Sequence, residues 1–141
     1  MPLSDIIKTL IRNAWDDGYP CLVATVGPLG PNITPKGSTV VYDDLHLAWW
    51  ERSRRGAFDN LAYDRRVCIM YSNFQAQRDK VLDSGFLRFY GTVELHESGP
   101  VREKIFSLLV PREQTHAGAE DGIGALVKIE RAVDARGKSL I

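Results

Sequence analysis

The spacing of apolar and polar residues predicts one leading helix followed by a series of strands. Over residues 3–15, apolar side chains recur at three- and four-residue steps, which gathers them on one helix face. Ser4 suits the N-cap, and Gly18-Tyr19-Pro20 ends the helix. Six later segments are continuously apolar or alternating and are predicted strands: residues 21–26, 32–42, 45–50, 66–72, 85–95 and 123–133.

Two shorter helices and two polar loops are predicted between these strands. The helices cover residues 57–64 and 101–110, and the loops cover residues 73–84 and 116–122. No repeat or linker divides the sequence, so residues 1–141 are interpreted as one domain. Six strands with helices at their ends predict a mainly β protein of the α+β class, built as a small antiparallel barrel.

Composition and charge limit the kinds of molecule that this chain is expected to bind. The chain is 44% hydrophobic, and its 18 basic and 18 acidic residues give a formal net charge of zero. This balance argues against a nucleic-acid or membrane partner but permits a local anion site. No segment approaches the ~18 consecutive apolar residues of a membrane span. Cys21 and Cys68 lie within apolar runs and are interpreted as free buried thiols, which suits the reducing cytoplasm.

The second predicted strand carries an unusual set of polar side chains. If residues 32–42 are extended, Thr34, Lys36 and Ser38 point to the same face. One ammonium and two hydroxyls in a row offer a cation and two donors to a single anion. Gly37 between them allows a ligand or another chain segment to approach closely. This strand therefore supplies half of a predicted anion site.

The other half is an arginine-rich segment, Arg52-Ser53-Arg54-Arg55, just before the helix predicted at residues 57–64. A helix N-terminus leaves backbone N–H groups free, and arginine can bind two phosphate oxygens at once. Each half alone is more often ordinary solvated surface. Their combination predicts one phosphate site held by a strand and a helix start.

A series of short motifs follows in a characteristic order along the chain. They are Cys21-Leu22-Val23-Ala24-Thr25-Val26, Pro35-Lys36-Gly37-Ser38, Leu47-Ala48-Trp49-Trp50, Ser53-Arg54-Arg55, Asn60-Leu61, Arg65-Arg66-Val67-Cys68-Ile69-Met70 and Leu87-Arg88-Phe89-Tyr90-Gly91-Thr92-Val93. This order resembles the pyridoxamine 5'-phosphate oxidase-like family of FMN-binding split β-barrels. The resemblance covers residues 3–133 and implies a six-stranded antiparallel split barrel with Greek-key connections. It also implies a homodimer that binds FMN in clefts between the subunits.

The resemblance further implies where a flavin binds. Lys36, Ser38 and the segment 53–55 would hold the phosphate, and the strand end at residues 49–51 would lie along the isoalloxazine ring. The two tryptophans of that strand end point to opposite faces, and the second is favoured for the ligand cleft. The complete set of implied cofactor-binding residues is Thr34, Lys36, Gly37, Ser38, Trp49, Trp50, Glu51, Ser53, Arg54, Arg55 and Asn60.

Two departures from the family pattern limit the assignment. Family members often carry a lysine where this chain has Gly56-Ala57, and the neighbouring arginines are candidates for its role. The chain also lacks the longer C-terminal segment that grips the substrate in true pyridoxamine 5'-phosphate oxidases. Pyridoxamine phosphate is therefore not the expected substrate.

The leading functional hypothesis is an FMN-dependent oxidoreductase acting on a small redox substrate that the sequence does not identify. The flavin carries the electron chemistry, and NAD(P)H would bind transiently because no glycine-rich dinucleotide motif is present. The alternatives are a non-catalytic flavin-binding or electron-carrier protein and a relative that binds a deazaflavin or haem, with His116 as axial ligand. The three histidines are too scattered for a zinc site, so no metal is predicted.

Overall fold

The N-terminal helix forms where the pattern predicts it, and a side chain caps its first turn. In the computed structural model, which describes residues 2–52 and 57–141, helix α1 spans Asp5–Arg12. The Ser4 hydroxyl accepts a hydrogen bond from the Ile7 amide at 3.3 Å, which satisfies one otherwise free N–H group. Ile7 and Ile11 are buried on the inner face of the helix. The predicted N-cap is confirmed, and the helix is shorter than predicted at both ends.

Within the part of the chain that the structure describes there are seven strands, five α-helices and one 3₁₀ turn. The strands are β1 (Leu22–Gly27), β2 (Gly30–Pro35), β3 (Val40–Asp43), β4 (His46–Glu51), β5 (Arg66–Ser72), β6 (Phe86–His96) and β7 (Ile123–Asp134). The helices after α1 are α2 (Ala57–Tyr63), α3 (Phe74–Arg78), α4 (Pro100–Leu108) and α5 (Pro111–Gln114), and the 3₁₀ turn is Ala119–Asp121.

The expectation of six strands is corrected to seven because the predicted strand at residues 32–42 is interrupted. Residues 36–39, called the Lys36 turn below, leave the sheet between β2 and β3. The Lys36 carbonyl accepts hydrogen bonds from the Thr39 amide at 3.1 Å and from the Thr39 hydroxyl at 2.7 Å. These bonds close a tight turn at a place where the sequence pattern predicts an uninterrupted strand.

All seven strands pair antiparallel in one sheet with the order β2-β1-β5-β6-β7-β4-β3. Side chains from β1, β5, β6, β7 and β4, spread over most of that order, meet in a single buried cluster. A flat sheet could not bring them together, so the sheet curls around this core and remains open between its edge strands β2 and β3. The predicted class, a mainly antiparallel split β-barrel with a few helices, is confirmed.

A second, smaller core lies on the outer face of β3, β4 and β7 beneath helix α4. Ile105 and Leu109 pack there against Ala48, Trp50 and Leu126. Strand β4 therefore buries both of its faces, one in each core. This double burial fixes the position of the strand end that follows Trp50.

The two predicted loops contain short helices in the structure. Residues 73–84 include α3, whose N-cap Asn73 accepts a hydrogen bond from the Ala76 amide at 2.9 Å. Residues 116–122 include the 3₁₀ turn. Among the described residues, no helix is both long enough and apolar enough to cross a bilayer.

Candidate functional site

The Lys36 turn is fastened to the end of β4 by a buried hydroxyl. Ser38 Oγ accepts a hydrogen bond from the Trp50 amide at 3.0 Å and donates to the Trp50 carbonyl at 3.2 Å. The predicted alignment of Thr34, Lys36 and Ser38 along one strand face is wrong, because residues 36–39 are a turn and do not alternate. The turn still brings Lys36 and Ser38 to one place, against residues 50 and 51.

The ammonium of Lys36 is paired with a buried carboxylate. Its Nζ donates to both Glu51 oxygens at 3.1 Å, and the two side chains are 13% and 3% exposed, respectively. Trp49 Nε1 donates to Glu51 Oε1 at 3.0 Å. Among the described residues, Glu51 is the acceptor found for Lys36 Nζ, so one of the three ammonium N–H groups has no acceptor among them.

A cavity of about 210 Å³ lies between the Lys36 turn and the end of β4. We call it the turn cavity. Its lining combines one ammonium, one guanidinium, two carboxylates, two hydroxyls and an indole. The lining residues are Thr34, Pro35, Lys36, Gly37, Ser38, Trp50, Glu51, Arg52 and Glu113.

Glu113, on the short helix α5, is a site residue that the sequence analysis missed. Its carboxylate is 3% exposed, with Arg52 Nη1 at 3.7 Å from Oε2 and Arg112 Nη2 at 3.3 Å from Oε1. The sequence around it, Pro111-Arg112-Glu113-Gln114, is polar and typical of surface. Helix α5 is too short for periodicity to mark an inward-facing position, so no local signal identifies this residue.

The two tryptophans of β4 lie on opposite faces, as predicted, and both are buried. Trp49 lies in the main core at 0% exposure, and Trp50 lies in the second core at 2%. The Trp50 ring packs against Phe106 with centroids 5.2 Å apart and lies 4.8 Å from the Arg102 guanidinium carbon. Trp50 Nε1 donates to the Ala119 carbonyl at 2.7 Å, so this indole is fixed by protein contacts at the edge of the turn cavity.

Gly37 and Asn60 both pack closely against other residues, but of the two only Gly37 lines the turn cavity. A Cβ atom on Gly37 would stand 2.6 Å from Trp15 Cε3, so only glycine lets that indole pack on the turn. Asn60 Nδ2 donates to Thr25 Oγ1 at 3.0 Å, and its side chain fills the space beside Gly27. Asn60 therefore contacts the far end of the β1–β2 hairpin and is not among the residues that line the turn cavity.

The remaining predicted residues fall both inside and outside the turn cavity. Thr34 Oγ1 accepts a hydrogen bond from Asn32 Nδ2 at 3.0 Å and lines the turn cavity. Ser53, Arg54 and Arg55 lie outside the described residues. His116, the candidate axial ligand, is exposed, and its Nδ1 lies 2.9 Å from the Ala117 carbonyl oxygen.

Both cysteines are free thiols, as the sequence predicts. Cys21 is buried, whereas Cys68 is only half-buried. Desolvation raises the pKa of Cys21 to about 12. Across residues 2–52 and 57–141, no three histidine, cysteine, aspartate or glutamate side chains are grouped closely enough to hold a metal ion.

Comparison with known families gives one match that covers most of the chain. A family model described as pyridoxamine 5'-phosphate oxidase matches residues 7–135. No curated protein matches the chain.

Several solved structures share the fold. Tagged HupZ of Group A Streptococcus has a TM-score of 0.74 and 24% identity, covering 99% of this chain and 98% of that one. An F420 reductase has a TM-score of 0.62 and 16% identity, covering 89% and 94%. A Clostridium acetobutylicum protein related to general stress protein 26, of the pyridoxinephosphate oxidase family, has a TM-score of 0.59 and 15% identity, covering 90% and 84%. At these identities the likeness is one of fold.

Proposed function

Because the chain belongs to the pyridoxamine 5'-phosphate oxidase family, we propose that it is a flavin-binding oxidoreductase whose cofactor is FMN. The observation that carries this proposal is the turn cavity, which unites Lys36, Ser38 and Arg52 from two separate segments of the chain. Arg52 is also the first residue of the arginine-rich segment assigned to phosphate binding. Lys36 and Ser38 of the first predicted half and Arg52 of the second therefore line one cavity.

The residues around the cavity fit the phosphate end of a flavin. Lys36 has one ammonium N–H beyond those given to Glu51, and the Arg52 side chain is 35% exposed beside the cavity. A charge-assisted hydrogen bond contributes roughly 1.5–3 kcal/mol. In this proposal Lys36 and Arg52 bind phosphate oxygens, Ser53, Arg54 and Arg55 add further donors, and Ser38 holds the turn against β4.

The cavity in one chain is small for a whole flavin. Ligand pockets commonly measure about 300–1,000 Å³, and the turn cavity measures about 210 Å³. We therefore propose that a second copy of the chain completes the site in a homodimer. A flavin spanning two subunits would place its phosphate at the turn cavity and extend its ring beyond it.

A bound flavin would supply reversible electron and hydride transfer. The chain's own residues then bind the cofactor, orient it and exclude water, and no acid–base pair of side chains is required. A nicotinamide is proposed as a transient hydride donor.

A deazaflavin is the second candidate cofactor, since one of the structural neighbours is an F420 reductase. The ring systems of flavins and deazaflavins are similar in shape, so a cleft that extends beyond the turn cavity between two subunits would suit either. Two alternative functions remain to be tested against this proposal: a non-catalytic electron carrier, and a haem protein with His116 as its axial ligand.

The visible spectrum of the purified protein, followed by titration with FMN, tests the proposal. We expect either flavin absorption in the purified protein or quenching of FMN fluorescence on titration. An oxidoreductase is then distinguished from an electron carrier if NAD(P)H reduces the bound flavin anaerobically and a definite acceptor reoxidises it with turnover. A haem-type Soret band or selective binding of F420 would replace FMN as the cofactor. A colourless protein that binds neither flavin would remove the proposal.

Substitution of Lys36 connects this test to the cavity. Lys36→Met is expected to raise the Kd for FMN roughly tenfold or more, because one charge-assisted hydrogen bond to the phosphate is lost. The control is Lys128→Met, which removes an exposed lysine from β7. Equal FMN affinity in the two variants would place Lys36 outside the flavin site.

A further inference from the structure

The Glu113 carboxylate is buried beside the turn cavity without enough hydrogen bonds. Its Oε2 atom has no hydrogen-bond partner among the residues that the structure describes. The Arg52 guanidinium at 3.7 Å is close enough for charge attraction but too far for a good hydrogen bond. A buried, charged acceptor that lacks a protein hydrogen bond destabilises the folded chain, and such atoms in native proteins call for an explanation.

The position of the Glu113 carboxylate offers an explanation for its missing hydrogen bond. Glu113 lines the turn cavity together with Trp50 and Arg52, so a molecule entering the cavity meets this acceptor. We propose that Glu113 accepts a hydrogen bond from a neutral N–H or O–H group of the bound ligand. Resting on the proposed function, the ligand is the flavin, and the donor is a hydroxyl of its ribityl chain, because the phosphate occupies the turn cavity and the ring extends beyond it.

The charges around the cavity favour this orientation. Glu51 also lines the cavity, but its oxygens already accept from Lys36 and Trp49. The Glu113 carboxylate, with Oε2 lacking a hydrogen bond, repels a phosphate, whereas Lys36 and Arg52 attract it. Phosphate oxygens therefore lie toward the ammonium and guanidinium groups, and a donor group lies toward Glu113. The residue acts in this way as a specificity determinant, because it favours a ligand that presents a polar hydrogen at a fixed distance from its phosphate.

Titration of FMN against Glu113 variants tests the inference. Glu113→Met is expected to raise the Kd for FMN about tenfold, and the conservative Glu113→Gln, which keeps a neutral acceptor, by a smaller factor. Glu120→Gln is the matched control, since it neutralises an exposed glutamate in the neighbouring 3₁₀ turn and should leave the Kd unchanged. Unchanged or tighter FMN binding by Glu113→Met would overturn the inference.

A second ligand checks the identity of the donor. Lumiflavin carries the ring with its imide but has neither ribityl chain nor phosphate. Glu113→Met is expected to weaken the binding of FMN and to leave the binding of lumiflavin unchanged. Equal weakening of both ligands would place the donor on the ring and overturn the assignment to a ribityl hydroxyl. If the wild-type protein does not bind FMN, the proposed function and this inference both fail. If the wild-type protein binds FMN and the Glu113 variants bind it with the same Kd, only this inference fails.

The stability of the flavin-free protein gives an independent readout. Because Oε2 is unsatisfied, Glu113→Gln and Glu113→Met are expected to raise the Tm of the flavin-free protein by about 2–4 °C, and saturating FMN should reduce this advantage. A lower Tm in both variants would show that the carboxylate stabilises the fold, which contradicts an acceptor reserved for ligand.

Discussion

At the scale of single residues, the candidate site is held by charges that are buried in pairs. Glu51 is almost fully buried, yet its oxygens are matched by the Lys36 ammonium and the Trp49 indole N–H. Burying two charges is costly, and the cost is offset only while both partners remain. The pair therefore links the position of the Lys36 turn to the end of β4.

A double-mutant cycle on this pair should show strong coupling. Lys36→Met and Glu51→Gln are each expected to lower the free energy of unfolding by about 2–3 kcal/mol, since each leaves a buried group without its partner. The double variant should lose about 1–2 kcal/mol less than the sum of the two. Urea denaturation of the flavin-free protein measures all four species, and purely additive losses would mean that the ion pair is not important for stability.

Asp64, between α2 and β5, should make stability depend on acid pH. The Arg66 side chain and amide hydrogen-bond to its carboxylate and lower the pKa of Asp64 to about 2 in the folded chain. The unfolded chain titrates near the ordinary value of about 4. The stabilising contribution is therefore complete above pH 4 and is lost as the pH falls toward 2.

Asp64→Asn should remove this contribution. The unfolding free energy of the variant, measured in urea between pH 5 and pH 2, is expected to fall less steeply than that of the wild type. Asp59→Asn, at an exposed position of the preceding helix α2, is the control. Identical pH profiles for the wild type and Asp64→Asn would show that Arg66 does not hold this carboxylate in solution.

At the scale of elements, the sequence predicted what depends on local pattern and missed what depends on distant contacts. Strand β5 was predicted to the residue, because an apolar run bounded by polar residues defines both of its ends. The break between β2 and β3 was missed, because the local bonds between Lys36 and Thr39 are joined by hydrogen bonds between Ser38 and Trp50, 12 positions apart, that hold the turn against β4. Glu113 was missed for the same reason, since its burial is imposed by neighbours in space.

The pairing of β6 with β7 includes an irregularity that only glycine tolerates. The register shifts between Tyr90 and Gly91, and a Cβ atom on Gly91 would lie 2.1 Å from the Lys128 carbonyl oxygen. Gly91→Ala is therefore expected to lower the unfolding free energy by about 3 kcal/mol, at the upper end for an overpacked core. Chemical denaturation measures the loss.

Gly124→Ala on β7 is the matched control for this substitution. Its added methyl would meet the flexible end of Ile105 at 2.9 Å and not a backbone oxygen. The Ile105 side chain can move, so the loss should be smaller. Equal losses in the two variants would show that the sheet backbone adjusts around Gly91 as easily as a side chain does.

At the scale of the whole molecule, the sheet leaves two edges and some exposed apolar side chains. Strand β2 is one edge, and in its hairpin Leu29 and Ile33 are 103% and 67% exposed. Open edges and apolar surface favour association with another copy. The small turn cavity points in the same direction, because one chain encloses only part of a flavin-sized volume.

We therefore predict a homodimer at micromolar concentration. Sedimentation equilibrium should give twice the chain mass, and Ile33→Glu should shift the population toward the monomer by placing a charge on the exposed hairpin. Leu45→Glu, at another partly exposed apolar position outside that hairpin, is the control. A monomer mass for the wild-type protein at this concentration would contradict the prediction.

The pairing of β4 also sets the order in which the molecule can be completed during synthesis. Strand β4 pairs with β7 from His46↔Lys128 to Glu51↔Ile123, so this neighbour in the sheet is made more than 70 residues after it. A nascent chain emerging from the ribosome can form the β1–β2 and β3–β4 hairpins early, but the two hairpins can join one sheet only after β5, β6 and β7 have been made. If the proposed flavin site is correct, ribosome-bound chains stalled before residue 123 should not retain flavin.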